Sequence, residues 1–283
     1  MSQSGTKKRY AIIGDPVSHS LSPAMHNAAF RAMSMNAEYE PVRVSPENLD
    51  DFMASARKSL AGFNITVPHK SAALHSLDWV DDFAARANSV NTVLNKDGTL
   101  IGFSTDGYGL EKAIEENFGA EVAGKNFLII GAGGAARAAA FHLLEEKAAG
   151  VIVANRTASK AETLAAELAD TFPEAETDAL PLADTARLAE AAEKADILVQ
   201  STSLGLRPDD PSPVPQKILR HDMPVFDMVY AETRLLKDAA EIGAPRANGL
   251  GMLLHQGAKS FAVWTGLEPP LAAMRKALID KPR

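Results

Sequence analysis

There is no cysteine among the 283 residues. That excludes disulfides, thiolate catalysis and cysteine-ligated zinc, and it suits a reducing compartment. Long apolar runs are missing too. No window approaches the ~18 apolar residues of a membrane span. The opening MSQSGTKKRYAIIGD carries basic residues without the apolar stretch of a signal peptide. A cytoplasmic protein with no membrane partner is the expectation. Positive charge is short as well: 29 Lys and Arg against 36 Asp and Glu leave a formal net charge of −7. Such a chain gains nothing from the phosphate field of a nucleic acid. Neither HExxH nor another His/carboxylate cluster appears, so no metal is expected.

What is present is ordinary for a globular protein, with 46% hydrophobic and 23% charged residues. The length exceeds what one core fills, which predicts two domains. Short apolar runs alternate with helical patterns. Strands are expected at Tyr10–Gly14, Glu38–Val44, Gly62–Val67, Ser89–Leu94 and Leu100–Phe103, with helices from Ser22-Pro23 and over Leu49–Ser59. Pro41 would place the second strand at an edge or a bulge. In Ser22-Pro23, serine reads as N-cap and proline as first helical residue. Further on, a helix over Gly109–Phe118 precedes strands at Asn126–Ile130, Val151–Ala154, Ile197–Gln200, Val225–Val229 and Pro245–Ala247. A helix is expected over Ser159–Thr171, the alanine-rich region 158–195 reads as helical throughout, residues 208–215 form a proline-rich loop, and helices close the chain at 250–264 and 271–279. The alternation implies α/β layers.

Gly131-Ala132-Gly133-Gly134-Ala135-Ala136 fits G-x-G-x-x-G/A between an apolar strand and a helix. Gly131 makes the tight turn, Gly133 admits a pyrophosphate, and Ala136 permits close helix–strand packing. The helix N-terminus offers free N–H groups to that anion. The next strand ends at Asn155-Arg156 rather than at Asp or Glu. No carboxylate repels a 2′-phosphate there, and Arg156 with Lys160 attracts one, so NADP is expected over NAD. Thr157 adds a hydroxyl and caps the following helix. In the other half, Asn64, Thr66, Lys70, Asn91, Thr105 and Asp106 fall near strand ends, where open α/β sheets bind ligands. His19 and His26 are structural or surface residues on this reading, and Asp15 and Asp227 turn and strand-end residues.

Nine segments resemble the shikimate dehydrogenase family: GDPVSHSLSPAMHN (14–27), FNITVPHK (63–70), ANSVNTV (87–93), STDG (104–107), GAGGAARA (131–138), NRTASKA (155–161), STSLG (201–205), DMVY (227–230) and NGLGMLLHQGA (248–258). The resemblance implies reversible reduction of 3-dehydroshikimate to shikimate by NADPH, in aromatic amino-acid biosynthesis. It implies an N-terminal α/β substrate domain, 1–107, to which helices of 250–283 return, and a Rossmann NADP-binding domain, 108–249. Lys70 and Asp106 would be the catalytic pair, Lys70 serving as proton donor or as fixed charge. Ser20 and Ser22 would hold the substrate carboxylate with Tyr230 near it, while Thr66, Lys70, Asn91, Asp106 and Gln256 surround the ring hydroxyls. Besides the glycine turn and Asn155 to Lys160, the cofactor would meet Thr202, Ser203, Met228, Gly249 and Met252. Three positions depart from the family: Ser104 where asparagine is common, Lys160 where arginine is frequent, and Ile65 of FNITV where valine is usual, a harmless swap. A monomer or homodimer acting on a small molecule is expected. The alternatives are a quinate/shikimate dehydrogenase using NAD or NADP, a non-catalytic sensor on the same scaffold, or a dehydrogenase for a folate or an amino acid.

Overall fold

The protein is described here by a computed structural model covering residues 6–280. Packing divides the chain into two compact units, residues 1–109 with 253–283 and residues 110–252.

The first unit contains β1 (Lys8–Gly14), α1 (Ser22–Ala32), β2 (Ala37–Arg43), α2 (Leu49–Ser59), β3 (Gly62–Ile65), β4 (Trp79–Val80), α3 (Asp82–Arg86), β5 (Thr92–Lys96) and β6 (Thr99–Phe103). The helix α4 (Asp106–Phe118) leads into the second unit. That unit continues with β7 (Asn126–Ile130), α5 (Gly134–Glu145), β8 (Gly150–Asn155), α6 (Ala158–Thr171), β9 (Glu176–Pro181), α7 (Thr185–Lys194), β10 (Ile197–Gln200), β11 (Val225–Asp227), α8 (Arg234–Glu241) and β12 (Arg246–Asn248). The chain ends in α9 (Leu250–Thr265) and α10 (Leu271–Ile279).

The first sheet runs β2-β1-β3-β5-β6-β4. Strands β2, β1 and β3 are parallel, whereas β5 reverses against β3, and β6 reverses against β5. Pro41 lies on the edge strand β2, where its missing N–H costs no ladder bond. One face buries Tyr10 and Tyr39 against Phe30 of α1, Phe261 and Trp264 of α9 and Met274 of α10. The other packs Ile13, Met53, Phe63 and Ile65 against α2.

The second sheet runs β12-β11-β10-β7-β8-β9, all parallel, with Leu128, Leu198 and Val225 in its core. The strand order reverses between β7 and β10, the doubly wound order of dinucleotide-binding folds, whose ligands bind at that switch point.

Two expectations are corrected here. The region 158–195 is not helical throughout, because β9 interrupts it as an edge strand. Only Leu180 of β9 is fully buried, so no apolar run announces the strand. Ser22 is not the N-cap of α1 but its first residue, with Leu21 in the cap position. The Ser20 hydroxyl does the capping work, accepting the Ser22 N–H at 3.2 Å.

Candidate active site

Strand direction gathers the polar residues of the first unit. The loops after β1 and β3 lie side by side because those strands are parallel neighbours, and the Asp15 N–H donates to the Val67 carbonyl at 3.0 Å. Strand β5 runs the other way, so its start meets the end of β3, where the Ile65 N–H donates to the Asn91 carbonyl at 2.9 Å. Reversal of β6 then brings the end of β6 to the same rim, and the Asn91 N–H donates to the Phe103 carbonyl at 3.1 Å. Asn91 therefore precedes a strand rather than ending one, unlike Thr66 and Lys70. It still reaches their edge of the sheet.

At this rim Lys70 Nζ donates to Asp106 Oδ2 at 2.5 Å, and Asn91 Nδ2 donates to Asp106 Oδ1 at 2.7 Å. Both carboxylate oxygens thus have donors. The Asn91 oxygen accepts the Thr105 N–H at 2.8 Å, which fixes which way its amide faces. Gln256 of α9 accepts from Asn91 at 3.3 Å and donates to its own helix at the Leu253 carbonyl. Side-chain exposure of only 14% for Lys70 and 7% for Asp106 places the pair where water screens it weakly. Lys70, Asn91, Asp106 and Gln256 accordingly form one cluster. Thr66 is half-buried on the loop beside it.

Below this cluster lies a polar layer that the motifs did not announce. The Tyr39 hydroxyl donates to Asn64 Oδ1 at 2.7 Å, and Ser22 is its other side-chain neighbour. Asn64 donates to the Asn91 carbonyl at 2.9 Å and to the Thr92 and Ser260 hydroxyls at 3.1 Å each. Burial pushes the Tyr39 phenol well above its ordinary pKa, so it stays neutral. One sequence signal existed for this layer: Ser260 stands four residues after Gln256, on the same face of α9.

Of the serine pair, Ser20 is half-buried and Ser22 buried. The histidines nearby have opposite fates. His19 is exposed. His26 is fully buried, stacked on Tyr39 with ring centroids 4.5 Å apart, and neither ring nitrogen has a partner. Burial pushes its pKa down to about 3, which keeps the imidazole neutral. His69 is buried against the Val44 carbonyl at 2.7 Å, a structural bond. Asp15 pairs with Arg43 at 2.7 Å.

In the second unit, the turn after β7 meets the expected requirements. Gly131 has φ +119, a left-handed conformation that favours glycine, and a Cβ there would lie 2.6 Å from Ser201 Oγ. Gly133 occupies the N-cap of α5 without a side-chain cap. A Cβ on it would meet nothing within 4 Å, so open space faces the helix N-terminus where a pyrophosphate fits. Ala136 is fully buried against the sheet. Arg156 and Lys160 are exposed after β8, and Asn155 Nδ2 donates to the Thr157 carbonyl at 2.9 Å. Thr157 stands at the N-cap of α6, but its hydroxyl makes no capping bond, contrary to expectation. The residues present fit a dinucleotide bearing a 2′-phosphate.

Other cofactor candidates occupy loops after β10, β11 and β12. Thr202 and Ser203 follow β10, Met228 follows β11 half-buried, and Gly249 follows β12. A Cβ on Gly249 would come within 2.1 Å of the Met228 carbonyl, so these two loops touch. Met252 is buried, and Tyr230 is exposed in this second unit. Asp227 is a buried strand-end residue, as expected, and burial pushes its pKa up to about 6. Among the described residues one set of metal-type ligands comes together, Glu111, His142 and Glu146, with ligand atoms within 4.8 Å. Lys112 and His142 already bond Glu111 there.

A unit that presents backbone to a dinucleotide, in one chain with a unit that buries a lysine–aspartate pair, defines a dinucleotide-dependent oxidoreductase. No helix among the described residues is long and apolar enough to cross a membrane. Known families make the class specific. The shikimate dehydrogenase substrate binding domain matches residues 12–93, shikimate/quinate 5-dehydrogenase matches 112–206, and the shikimate 5′-dehydrogenase C-terminal domain matches 249–279. A shikimate dehydrogenase (NADP(+)) of Methanocaldococcus jannaschii is 42% identical over 279 residues, covering 97% of each chain. The crystal structure of shikimate 5-dehydrogenase from Thermus thermophilus in complex with NADP(H) and shikimate superposes with a TM-score of 0.85 at 39% identity, covering 96% of this chain and 98% of that one. A quinate dehydrogenase from Corynebacterium glutamicum in complex with NAD gives 0.87 at 29% identity, covering 97% and 99%. The chain belongs to the shikimate dehydrogenase family.

Proposed function

We propose that this protein reduces 3-dehydroshikimate to shikimate with NADPH, reversibly, as the dehydrogenase of the shikimate route to aromatic amino acids in the cytoplasm. The observation that carries the reading is the Lys70–Asp106 pair, held from the other side by Asn91 and Gln256. Residues 1–107 and 250–283 act as the substrate-binding catalytic domain, and 108–249 as the NADP-binding domain. Ser20, Ser22 and Tyr230 hold the substrate carboxylate, the serines through their hydroxyls at the start of α1. Thr66, Asn91 and Gln256 take the ring hydroxyls.

When bound, NADPH supplies the hydride. The glycine turn receives its pyrophosphate, and Arg156 with Lys160 its 2′-phosphate. Thr202, Ser203, Met228, Gly249 and Met252 line the nicotinamide end. Lys70 lies at the ketone oxygen. As the carbonyl carbon accepts the hydride, a proton on Lys70 Nζ passes to that oxygen, and solvent restores it. Asp106 orients the Lys70 ammonium before the transfer and draws the proton back to Nζ after it.

The test is NADPH oxidation with 3-dehydroshikimate, run beside quinate-pathway and folate substrates. Faster turnover of a quinate-pathway substrate would replace the reading with a quinate dehydrogenase. Equal use of NADH and NADPH would remove the role given to Arg156. The exposed Arg156 and the absence of a carboxylate at the end of β8 favour NADP.

A further inference from the structure

Gln200 and Asp227 are both fully buried, and they stand opposite each other in register at the ends of the neighbouring strands β10 and β11. Burying an amide and a carboxylate in the middle of a parallel sheet is costly unless their polar atoms are bonded. Each is bonded chiefly to the loop that follows its own strand. Gln200 Oε1 accepts the Thr202 N–H, and its Nε2 donates to the Leu204 carbonyl at 2.8 Å. Asp227 accepts the Val229 N–H at 2.9 Å and the Thr233 hydroxyl at 2.7 Å. Their side chains approach each other at 3.5 Å.

The two loops also pack on one another. Gly205 has φ +99, and a Cβ there would fall 2.5 Å from the Thr233 methyl. Thr233 in turn accepts the Leu236 N–H at the start of α8. Each loop is therefore shaped from beneath by one buried side chain, and the pair of loops forms one surface. Neither Gln200 nor Asp227 reaches that surface.

We infer that Gln200 and Asp227 are positioning residues for hydride transfer, templating the two loops that present Thr202, Ser203 and Met228. The inference rests on the reading that these loops face the nicotinamide half of NADPH. It divides the cofactor site in two. The adenosine end is held by Asn155, Arg156 and Lys160 after β8, which β7 separates from β10, so Gln200 and Asp227 make no contact with it. Alignment of the reacting carbon depends on the buried pair, and a misplacement of ~1 Å there costs up to about a hundredfold in rate.

Gln200→Glu keeps the acceptor for Thr202 and loses the donor to Leu204, and Asp227→Asn keeps an acceptor for Val229. In folded variants, kcat for 3-dehydroshikimate reduction should fall about tenfold to a hundredfold. The isotope effect on kcat with NADPH deuterated at the transferred position should rise. Inhibition by 2′,5′-ADP, a probe of the adenosine end alone, should stay within about twofold of the parent, because no contact to that end is lost. Unchanged kcat and isotope effect in both variants would overturn the inference. So would a parallel loss of 2′,5′-ADP binding, the mark of general loosening. Met228→Ala separates the two levels. If it is silent in kcat and in KM for NADPH, the nicotinamide reading itself fails. If it is damaging while the Gln200 and Asp227 variants are silent, only the positioning role fails.

Discussion

The two units bury polar groups differently. The first sinks a connected layer of amides and hydroxyls, from Tyr39 through Asn64, Thr92 and Ser260 to Asn91 and Asp106. The second confines its buried amide and carboxylate, Gln200 and Asp227, to the ends of β10 and β11, and addresses its ligand with backbone and open space at Gly131 to Gly134. A polyhydroxylated ring must be distinguished from its analogues hydroxyl by hydroxyl. That requires side chains whose donors and acceptors are fixed in advance, since a site built to hydrogen-bond strongly rejects a ligand lacking the group. A pyrophosphate needs only converging N–H groups and room. Substrate identity is thus written in side chains, whereas dinucleotide binding is written in backbone shape.

The sharpest way to break this division is at Lys70. Lys70→Ala should lower kcat by about 10²- to 10⁴-fold, the range of a lost proton donor, and leave KM for NADPH within a factor of a few. A kcat within a few-fold of the parent would take the chemistry away from the first unit.

The units should also respond to pH in opposite directions. His26 has a folded pKa of about 3, below its unfolded value of 6.5. Its contribution is complete above pH 6.5 and drains away as the pH falls toward 3, because only the unfolded chain gains the proton. The full span is roughly 5 kcal/mol. Urea unfolding at several pH values should show this acid loss, and His26→Leu should flatten it. Asp227 has a folded pKa of about 6, above its reference of 3.8. Its contribution is complete below pH 3.8 and is lost as the pH rises through 6, a span of roughly 3 kcal/mol. Asp227→Asn should remove that alkaline limb. Identical pH profiles for parent and variant in either case would show that the buried group does not titrate as its surroundings dictate.

A smaller effect tests the cofactor side. Arg156→Ala should reduce kcat/KM for NADPH about tenfold to a hundredfold, the worth of a charge-assisted hydrogen bond, with little change for NADH. An unchanged NADPH-to-NADH ratio would leave the 2′-phosphate to other groups.

Local structure was largely legible in the chain. The bounds of α2, β7, β10 and α10 coincide with the apolar periodicity, and the glycine turn falls between strand and helix as its spacing demands. What escaped was set by neighbours distant in sequence. The edge strand β9 shows one buried side chain, too little to oppose the helical bias of its alanine-rich surroundings. Ser20, not Ser22, serves as capping acceptor because α1 begins one residue earlier than the serine–proline signal suggested. Asn91 reaches the site from a strand start because β5 is reversed, and reversal leaves no mark in a single strand's composition. Tyr39, Thr92 and Ser260 carry no motif at all. They meet only when β2, β5 and α9 are stacked, so their shared polarity is a property of tertiary packing.

Gly133 separates folding from activity. Its φ of −87 is one that alanine adopts without strain, and an added methyl would meet nothing. Gly133→Ala should therefore fold about as well as the parent, the stiffer unfolded chain offsetting alanine's poorer fit at an N-cap. The methyl would occupy the space kept for the pyrophosphate. The outcome is a folded protein blind to its dinucleotide yet still able to take up shikimate, a reagent for measuring the substrate half of the cycle alone.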